Sequence, residues 1–228
     1  MYTNVNLLAP VGALLFLGTA FLVFILGLGI VYSLVKKKIG LAKLALLSLA
    51  LVAGFYLVVL LVFSFASSEK VLAQGQEKHF CEIDCHLAYS VTDVHETRTL
   101  GEATNQVTAS GMFRVVTVKT RFDETTINRN RGDALLYPNS RVVTVTDESG
   151  KQYFPAAEAQ GLLDRSQAAG TAMSMPLRPG ESYSTTLVFD LPADIRNPTL
   201  LIREGESVTH FVIGHENSPL HKKTRFQI

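Results

Sequence analysis

The chain has 228 residues, 47% of them hydrophobic, with two cysteines and a net charge of +1. This near-neutral balance argues against a nucleic-acid-binding protein, which needs a basic surface. The hydrophobic residues are concentrated in residues 1–70, and the remainder has the composition of a single water-exposed domain. The two parts therefore need separate explanations.

Two long uncharged stretches dominate residues 1–70, and they run from Leu7 to Val35 and from Leu44 to Ser68. About 20 helical residues span a hydrocarbon core of about 30 Å, so we predict transmembrane helices at about 7–35 and 44–68. A cleaved signal peptide fits poorly, because the N-terminus lacks a basic residue and the first stretch is too long. Neither stretch contains an acidic, basic or histidine residue, so both are predicted to be anchors.

The link between the two stretches is basic, with lysines at Lys36, Lys37, Lys38 and Lys43. The positive-inside rule places this link in the cytoplasm and both flanks outside it. We therefore expect a two-pass protein of the bacterial inner (cytoplasmic) membrane, with its N-terminus and C-terminal domain extracytoplasmic, that is, periplasmic. The lipid bilayer is its first predicted partner.

Residues 71–80 are predicted to be a polar linker, and residues 81–228 an extracytoplasmic domain built from short strands. Met112–Phe122 is rich in β-branched and aromatic residues, and Arg141–Phe154 has the pattern of a hairpin with glycine in its turn. Seven to nine such segments, one of them Ser207–Ile213, indicate an antiparallel immunoglobulin-like β-sandwich. The predicted fold is thus a membrane-anchored all-β domain that follows a transmembrane α-hairpin.

Two segments, RVVTVTDESGKQYFPA and LRPGESYSTTLVFDLPADIRNPTLLI, carry a family resemblance. They resemble the telokin-like, immunoglobulin-type sandwich domain of bacterial envelope proteins of unknown function (the DUF4352 type). The resemblance implies a fold and an envelope location, and it supplies no catalytic residues. The matching residues are Asp147, Gly150, Tyr153, Pro179, Gly180, Glu181, Phe189 and Pro192.

Both cysteines lie in the run CEIDCH, at Cys81 and Cys85, with His86 directly after the second. In a regular strand the two residues would stand about 13 Å apart, which excludes a disulfide, whereas a helical turn brings them within reach. Glu82 and Asp84 favour a solvated turn. Because the predicted compartment permits disulfides, a Cys81–Cys85 disulfide is the leading interpretation, with no cofactor.

Two alternatives use the same residues. Cys81, Cys85 and His86 offer ligands suited to copper or zinc, with His79, His210, His215 or other distant residues completing the set. The run also resembles a stretched form of the C-x-x-C-H signature that attaches c-type haem.

The polar stretch Asp123–Ser140 is the predicted partner-binding loop, because sandwiches present function on their loops. Its charged residues include Asp123, Glu124, Arg129 and Arg131. No catalytic motif is recognisable, so we expect a non-enzymatic accessory or assembly subunit that docks on a membrane complex, such as a respiratory complex, or on an extracellular partner. The competing interpretation is a redox or metal-handling protein that binds copper or haem through the cysteine run.

Overall fold

The structure, a computed structural model, describes residues 2–3, 8–80, 85–102, 104–125 and 132–228. The chain forms two compact units. One, the sandwich unit, contains Glu69–Glu206 and Lys223–Ile228 together with an N-terminal strand. The other, the hairpin unit, contains the two long helices and the segment 207–222.

The hairpin unit is built on helices α1 (Leu8–Val35) and α2 (Ile39–Phe65), which pack against each other. Both helices are long and apolar enough to cross a membrane. The second helix begins earlier than residue 44, the start expected from the uncharged stretch, so Lys43 lies within it. Large apolar side chains along both helices are exposed, with Leu14 at 70% and Phe55 at 73%.

Two five-stranded sheets form the sandwich unit, in the orders β1-β3-β4-β5-β8 and β2-β10-β9-β6-β7. The strands are β1 (Tyr2–Thr3), β2 (Lys70–Leu72), β3 (Lys78–Phe80), β4 (Leu87–Leu100), β5 (Val107–Phe122), β6 (Arg141–Thr146), β7 (Gln152–Tyr153), β8 (Ser182–Leu191), β9 (Thr199–Glu204) and β10 (Thr224–Gln227). Most pairs are antiparallel, but β2 pairs with β10 in parallel, as does β1 with β3. Because β2 and β3 lie within or overlap 71–80, that stretch is part of the sandwich rather than a linker.

The core lies between the two sheets and follows the two-residue period of the strands. Alternate residues such as Val116 and Val118 of β5, or Leu200 and Ile202 of β9, are fully buried in it. Their β-branched and aliphatic side chains fit a pleated surface that is buried on one face. The β-branched and aromatic residues that predict β5 therefore also build the core.

The outer face of the first sheet is covered over part of its area by helix α3 (Ala157–Arg165). Leu162 and Leu163 of this helix form a second buried cluster with Phe113 and Val115 of β5. The Gln160 side chain bonds to the backbone of β8, donating to the Thr186 carbonyl and accepting from the Val188 amide. The helix therefore satisfies backbone groups of an edge strand that would otherwise invite pairing with another chain.

The segment Ser207–Phe211 is a 3₁₀ helix. The sequence predicts a strand here, so that assignment is wrong. The 3₁₀ helix and the residues up to Lys222 belong to the hairpin unit, although residues 81–228 were expected to form one domain.

A candidate functional site around Asp123

The cysteine–histidine run leads directly into strand β4. Cys85 is fully buried with a φ of 60°, and His86 is 2% exposed. Cys81 lies outside the described residues, as do the acidic residues between the two cysteines. Among the described residues no cysteine is a free thiol. The second half of the run is thus a buried segment at the entry to β4.

His86 is held by the end of strand β5. Its Nδ1–H donates to the Asp123 carbonyl oxygen at 2.5 Å, and the Asp123 amide donates back to the His86 carbonyl at 2.7 Å. Its ring stacks on Phe122, with ring centroids 4.8 Å apart. These contacts give the histidine a packing role that does not require a metal or haem.

The side chain of the same Asp123 is the centre of a partly buried ionic cluster, which we call the Asp123 cluster. One carboxylate oxygen accepts from His79 Nε2 at 2.8 Å and from Arg121 Nη2 at 3.1 Å. The other accepts from the amide and the hydroxyl of Thr125, at 2.9 and 2.7 Å. Arg121 also forms a bidentate pair with Glu77, in which both N···O distances are 2.7 Å.

The register of the first sheet explains why these residues meet. His79 of β3 lies opposite Ala88 of β4, which in turn lies opposite Arg121 of β5. Directly paired residues point to the same face of a sheet. The small alanine leaves room between the histidine and the arginine. All three residues, and with them the Asp123 cluster, lie on the face of the sheet opposite the sandwich core.

The charges in the cluster stabilise one another. Burial by itself raises the pKa of Asp123, but the hydrogen bonds from Thr125 and His79 and the charge of Arg121 outweigh it and hold that pKa well below its usual range. The bidentate hydrogen bond from Arg121 lowers the pKa of Glu77. In return, the hydrogen bond to Glu77 raises the pKa of Arg121 above its usual range. Both carboxylates are therefore ionised and compensated at neutral pH.

Glu77, His79 and Asp123 also form a possible metal-ligand set, since their donor atoms all lie within 4.8 Å of one another. Carboxylate and imidazole ligands are compatible with several divalent metals. The guanidinium of Arg121 already bridges both carboxylates, so a cation would have to displace it. The arrangement fits a structural ion-pair network better than a metal site.

His210 and His215, proposed from the sequence as further ligands, belong to the hairpin unit. There they hydrogen-bond to Asn217. His210 Nδ1–H donates to the Asn217 carbonyl at 2.7 Å, and His215 Nδ1 accepts from the Asn217 amide at 3.0 Å. In each case the Nδ1 atom takes part in a hydrogen bond that stabilises the local loop. Cys85 and His86, in contrast, belong to the sandwich unit.

The residues of the predicted partner-binding loop differ in their exposure. Asp123 is only 1% exposed, so its assignment as a partner contact is corrected: burial in the cluster leaves it no accessible surface. Glu124 is exposed, and Arg129 and Arg131 lie outside the described residues. Further along the loop, Tyr137 exposes 66% of its surface.

A buried lysine is a feature that the sequence reasoning missed. Lys78 is fully buried and its side chain points into the sandwich core, where Nζ donates to the carbonyls of Ile202 and Thr224 at 2.8 and 3.1 Å. Nζ also lies 4.8 Å from the centroid of the Phe80 ring. The lysine thus links β3 to β9 and β10 of the opposite sheet. The sequence does not reveal this role, because the lysine lies in a stretch predicted to be a polar linker.

No protein family model matches the chain, and no curated protein matches it. A solved structure of a conserved hypothetical protein from Bacillus anthracis is 15% identical, with a TM-score of 0.41, over 60% of this chain and 92% of that one. The secreted protein MPT63 from Mycobacterium tuberculosis is 10% identical, with a TM-score of 0.41, over 71% and 100%. The yjhA protein from Bacillus subtilis is 14% identical, with a TM-score of 0.40, over 70% and 99%. The telokin-like family is not confirmed, and likenesses this low carry no conclusion about function.

Proposed function

We propose that the chain is a two-pass protein of the bacterial inner membrane that holds an extracytoplasmic, immunoglobulin-like β-sandwich. The observation that carries this proposal is the pair of adjacent helices whose large apolar side chains remain exposed. Surfaces of this size are rarely left in contact with water, and a bilayer is the solvent that suits them. The lysines at Lys36–Lys38 support a cytoplasmic link.

Protease protection in spheroplasts tests this topology. One epitope tag follows Ile228 and a second, in a separate variant, is inserted after Lys38. The tag after Ile228 is expected to be digested in intact spheroplasts, and the tag after Lys38 only after lysis. The reverse pattern would refute the orientation, and recovery of the protein in the soluble fraction would refute the anchor.

The proposed role is non-enzymatic, that of an accessory or assembly subunit that docks on a membrane complex or an extracellular partner. Its support is the distribution of polar groups in the sandwich unit. The Asp123 cluster consists of ion pairs and hydrogen bonds made within the protein, as expected of a structural element. The exposed residues Glu124 and Tyr137 lie instead on the loop after β5, and tyrosine is enriched in the contact centres of protein interfaces.

Co-purification from membranes in mild detergent tests this role. A membrane partner in stoichiometric amount is expected with the wild-type chain and should be lost from Tyr137→Ala and Glu124→Lys. Phe154→Ala is the matched control, since Phe154 is also an exposed aromatic side chain of the sandwich unit (61%). A chain that elutes alone, or equal recovery from all variants, would argue against docking through this loop.

For the cysteine run we propose a Cys81–Cys85 disulfide. Two observations support it: the chain has two cysteines, and the described one is not a free thiol. The alternative, a redox or metal-handling protein, has one specific observation in its favour, the closeness of the donor atoms of Glu77, His79 and Asp123. The packing of His86 argues against copper or c-type haem bound through Cys81, Cys85 and His86.

A further inference from the structure

The segment 207–222 is a compact loop within the hairpin unit. Asn217 Nδ2 donates to Thr209 Oγ1 at 2.8 Å, and Ser218 Oγ donates to the Val212 carbonyl at 2.5 Å. Together with the histidine contacts to Asn217, these bonds satisfy polar groups inside the loop. A loop that satisfies its own polar groups can enter a less polar environment at a lower free-energy cost than one that does not.

This loop is joined to both helices. Tyr56 of α2 donates its hydroxyl hydrogen to the Phe211 carbonyl at 2.5 Å, and Phe16 of α1 stacks on the Phe211 ring with centroids 6.4 Å apart. Gly12 lies so close to Ile213 that any Cβ at this position would overlap the Ile213 carbonyl oxygen. These contacts therefore fix the position, or level, of the loop along the axes of the two helices.

The level can be read from helix geometry. Phe16 lies about 20 residues before Lys36, which is about 30 Å along a helix at 1.5 Å per residue. Tyr56 lies about 26 Å from the start of α2 by the same measure. If the basic link marks one face of a hydrocarbon core of about 30 Å, these aromatic residues lie at the other face. Tyrosine is enriched at that depth in membrane proteins.

The loop presents apolar side chains that it does not bury. Val208 is 51% exposed, Phe211 is 53% exposed and Leu220 is 62% exposed. Leu220 adopts a left-handed backbone conformation, with φ of 62°, that is unfavourable for leucine. Lys222, whose amide donates to Ser67 Oγ just beyond α2 at 2.8 Å, is also exposed and places a positive charge at the same end of the hairpin.

We propose that the segment 207–222 is a lipid-binding element, which places Val208, Phe211 and Leu220 in the outer headgroup–acyl boundary of the bilayer. The lysine at 222 pairs with lipid phosphate. Apolar side chains with a flanking cation are the chemistry that holds monotopic segments at this boundary. The proposal rests on the membrane anchor proposed above, and Phe211, one of the residues it uses, contacts Phe16 and Tyr56 of the helices.

Single-tryptophan fluorescence tests the proposal, because the chain contains no tryptophan. The full chain is reconstituted in phosphatidylcholine vesicles as Val208→Trp, Leu220→Trp, Phe24→Trp and Phe154→Trp. Each substitution replaces an exposed side chain. Quenching is measured with lipids brominated near the glycerol end of the acyl chain, with lipids brominated further along it, and with aqueous iodide.

Val208→Trp and Leu220→Trp are expected to be quenched at least about twofold by the lipids brominated near the glycerol. Phe24→Trp, near the middle of α1, should respond to the deeper bromines, and Phe154→Trp of the sandwich to iodide alone. If the loop variants respond to iodide as Phe154→Trp does while Phe24→Trp responds to lipid, the lipid-binding role is refuted and the anchor stands. Loop variants shielded from both quenchers indicate that these side chains pack within the protein or against a second copy of the chain, which also refutes it. A Phe24→Trp variant that no lipid quenches refutes the anchor and this role together.

Discussion

His86 stacks on Phe122 with ring centroids 4.8 Å apart, and its Nδ1–H reaches the carbonyl oxygen of the next residue, Asp123. This relationship joins the cysteine run to the end of strand β5. The histidine that gives the run the appearance of a ligand site is therefore a packing residue. The side-chain carboxylate of the same Asp123 is the centre of the Asp123 cluster.

Replacement of His86 separates packing from ligation. His86→Ala removes a buried ring and is expected to lower the free energy of unfolding of the sandwich by about 3 kcal/mol. His86→Phe keeps the stacked ring and loses one hydrogen bond, at a cost of about 1 kcal/mol. Pulse proteolysis of the full chain in nanodiscs across a urea series measures both.

A ligand role makes a different prediction for the same pair. Phenylalanine cannot bind a metal or haem iron, so both variants would then lose bound metal or haem equally. A stoichiometric metal or haem in the wild-type protein that disappears in His86→Phe would contradict the packing role.

The Asp123 cluster predicts a loss of stability in acid. The pKa values of Asp123 and Glu77 are lowered in the folded protein, so the unfolded chain binds more protons as the pH falls. Their contribution is complete above about pH 5 and declines progressively as the pH falls through the ordinary carboxyl pKa of about 4 towards the lowered pKa values of the folded protein. Asp123→Asn is expected to be less stable by about 2 kcal/mol at pH 7 and to show a flatter pH dependence below pH 5.

Urea unfolding between pH 7 and pH 3 measures this effect, and Glu102→Gln serves as the control because Glu102 is an exposed loop residue. The control should follow the wild-type curve throughout. Parallel curves for Asp123→Asn and the wild type would show that the cluster does not contribute to the pH dependence.

The sequence predicts the two-helix, β-sandwich organisation because local patterns determine it. Uncharged runs of helical length indicate α1 and α2, and segments rich in β-branched and aromatic residues, such as Met112–Phe122, indicate strands. The candidate site is not predictable in this way. His79 and Arg121 meet only through the register of β3, β4 and β5, and Lys78 is buried because its amine reaches carbonyls of the opposite sheet. Such contacts between distant strands leave no mark in composition or spacing.

The disulfide proposal predicts that purified protein has no titratable thiol until it is reduced. A five-residue loop closed by a disulfide stabilises the fold by about 2 kcal/mol in the chain-entropy account. Cys81→Ala, Cys85→Ala and the double variant are therefore expected to be destabilised by similar amounts. Mass spectrometry after alkylation, before and after reduction, gives the thiol count.

A metal or haem site would instead give thiols that become reactive on chelation, or a visible absorption band lost in either single variant. The double variant is the informative control. Removal of both cysteines breaks the same single disulfide as removal of one, so the free energy of unfolding should fall by the same amount. Reactive thiols in the unreduced, metal-free protein would contradict the disulfide.

The contact between Gly12 and Ile213 predicts that the segment 207–222 depends on a glycine in α1. Gly12→Leu places side-chain atoms where the Ile213 carbonyl lies, so the loop has to shift, at about 1–3 kcal/mol. Hydrogen exchange of the Val212 and His215 amides, which bond within the loop, should then accelerate about tenfold or more in nanodiscs. Gly18→Leu is the matched control, since a Cβ at Gly18 meets no atom within 4 Å, and it should leave both amides as protected as in the wild type. Equal exchange in Gly12→Leu and Gly18→Leu would mean that the loop is not held against α1.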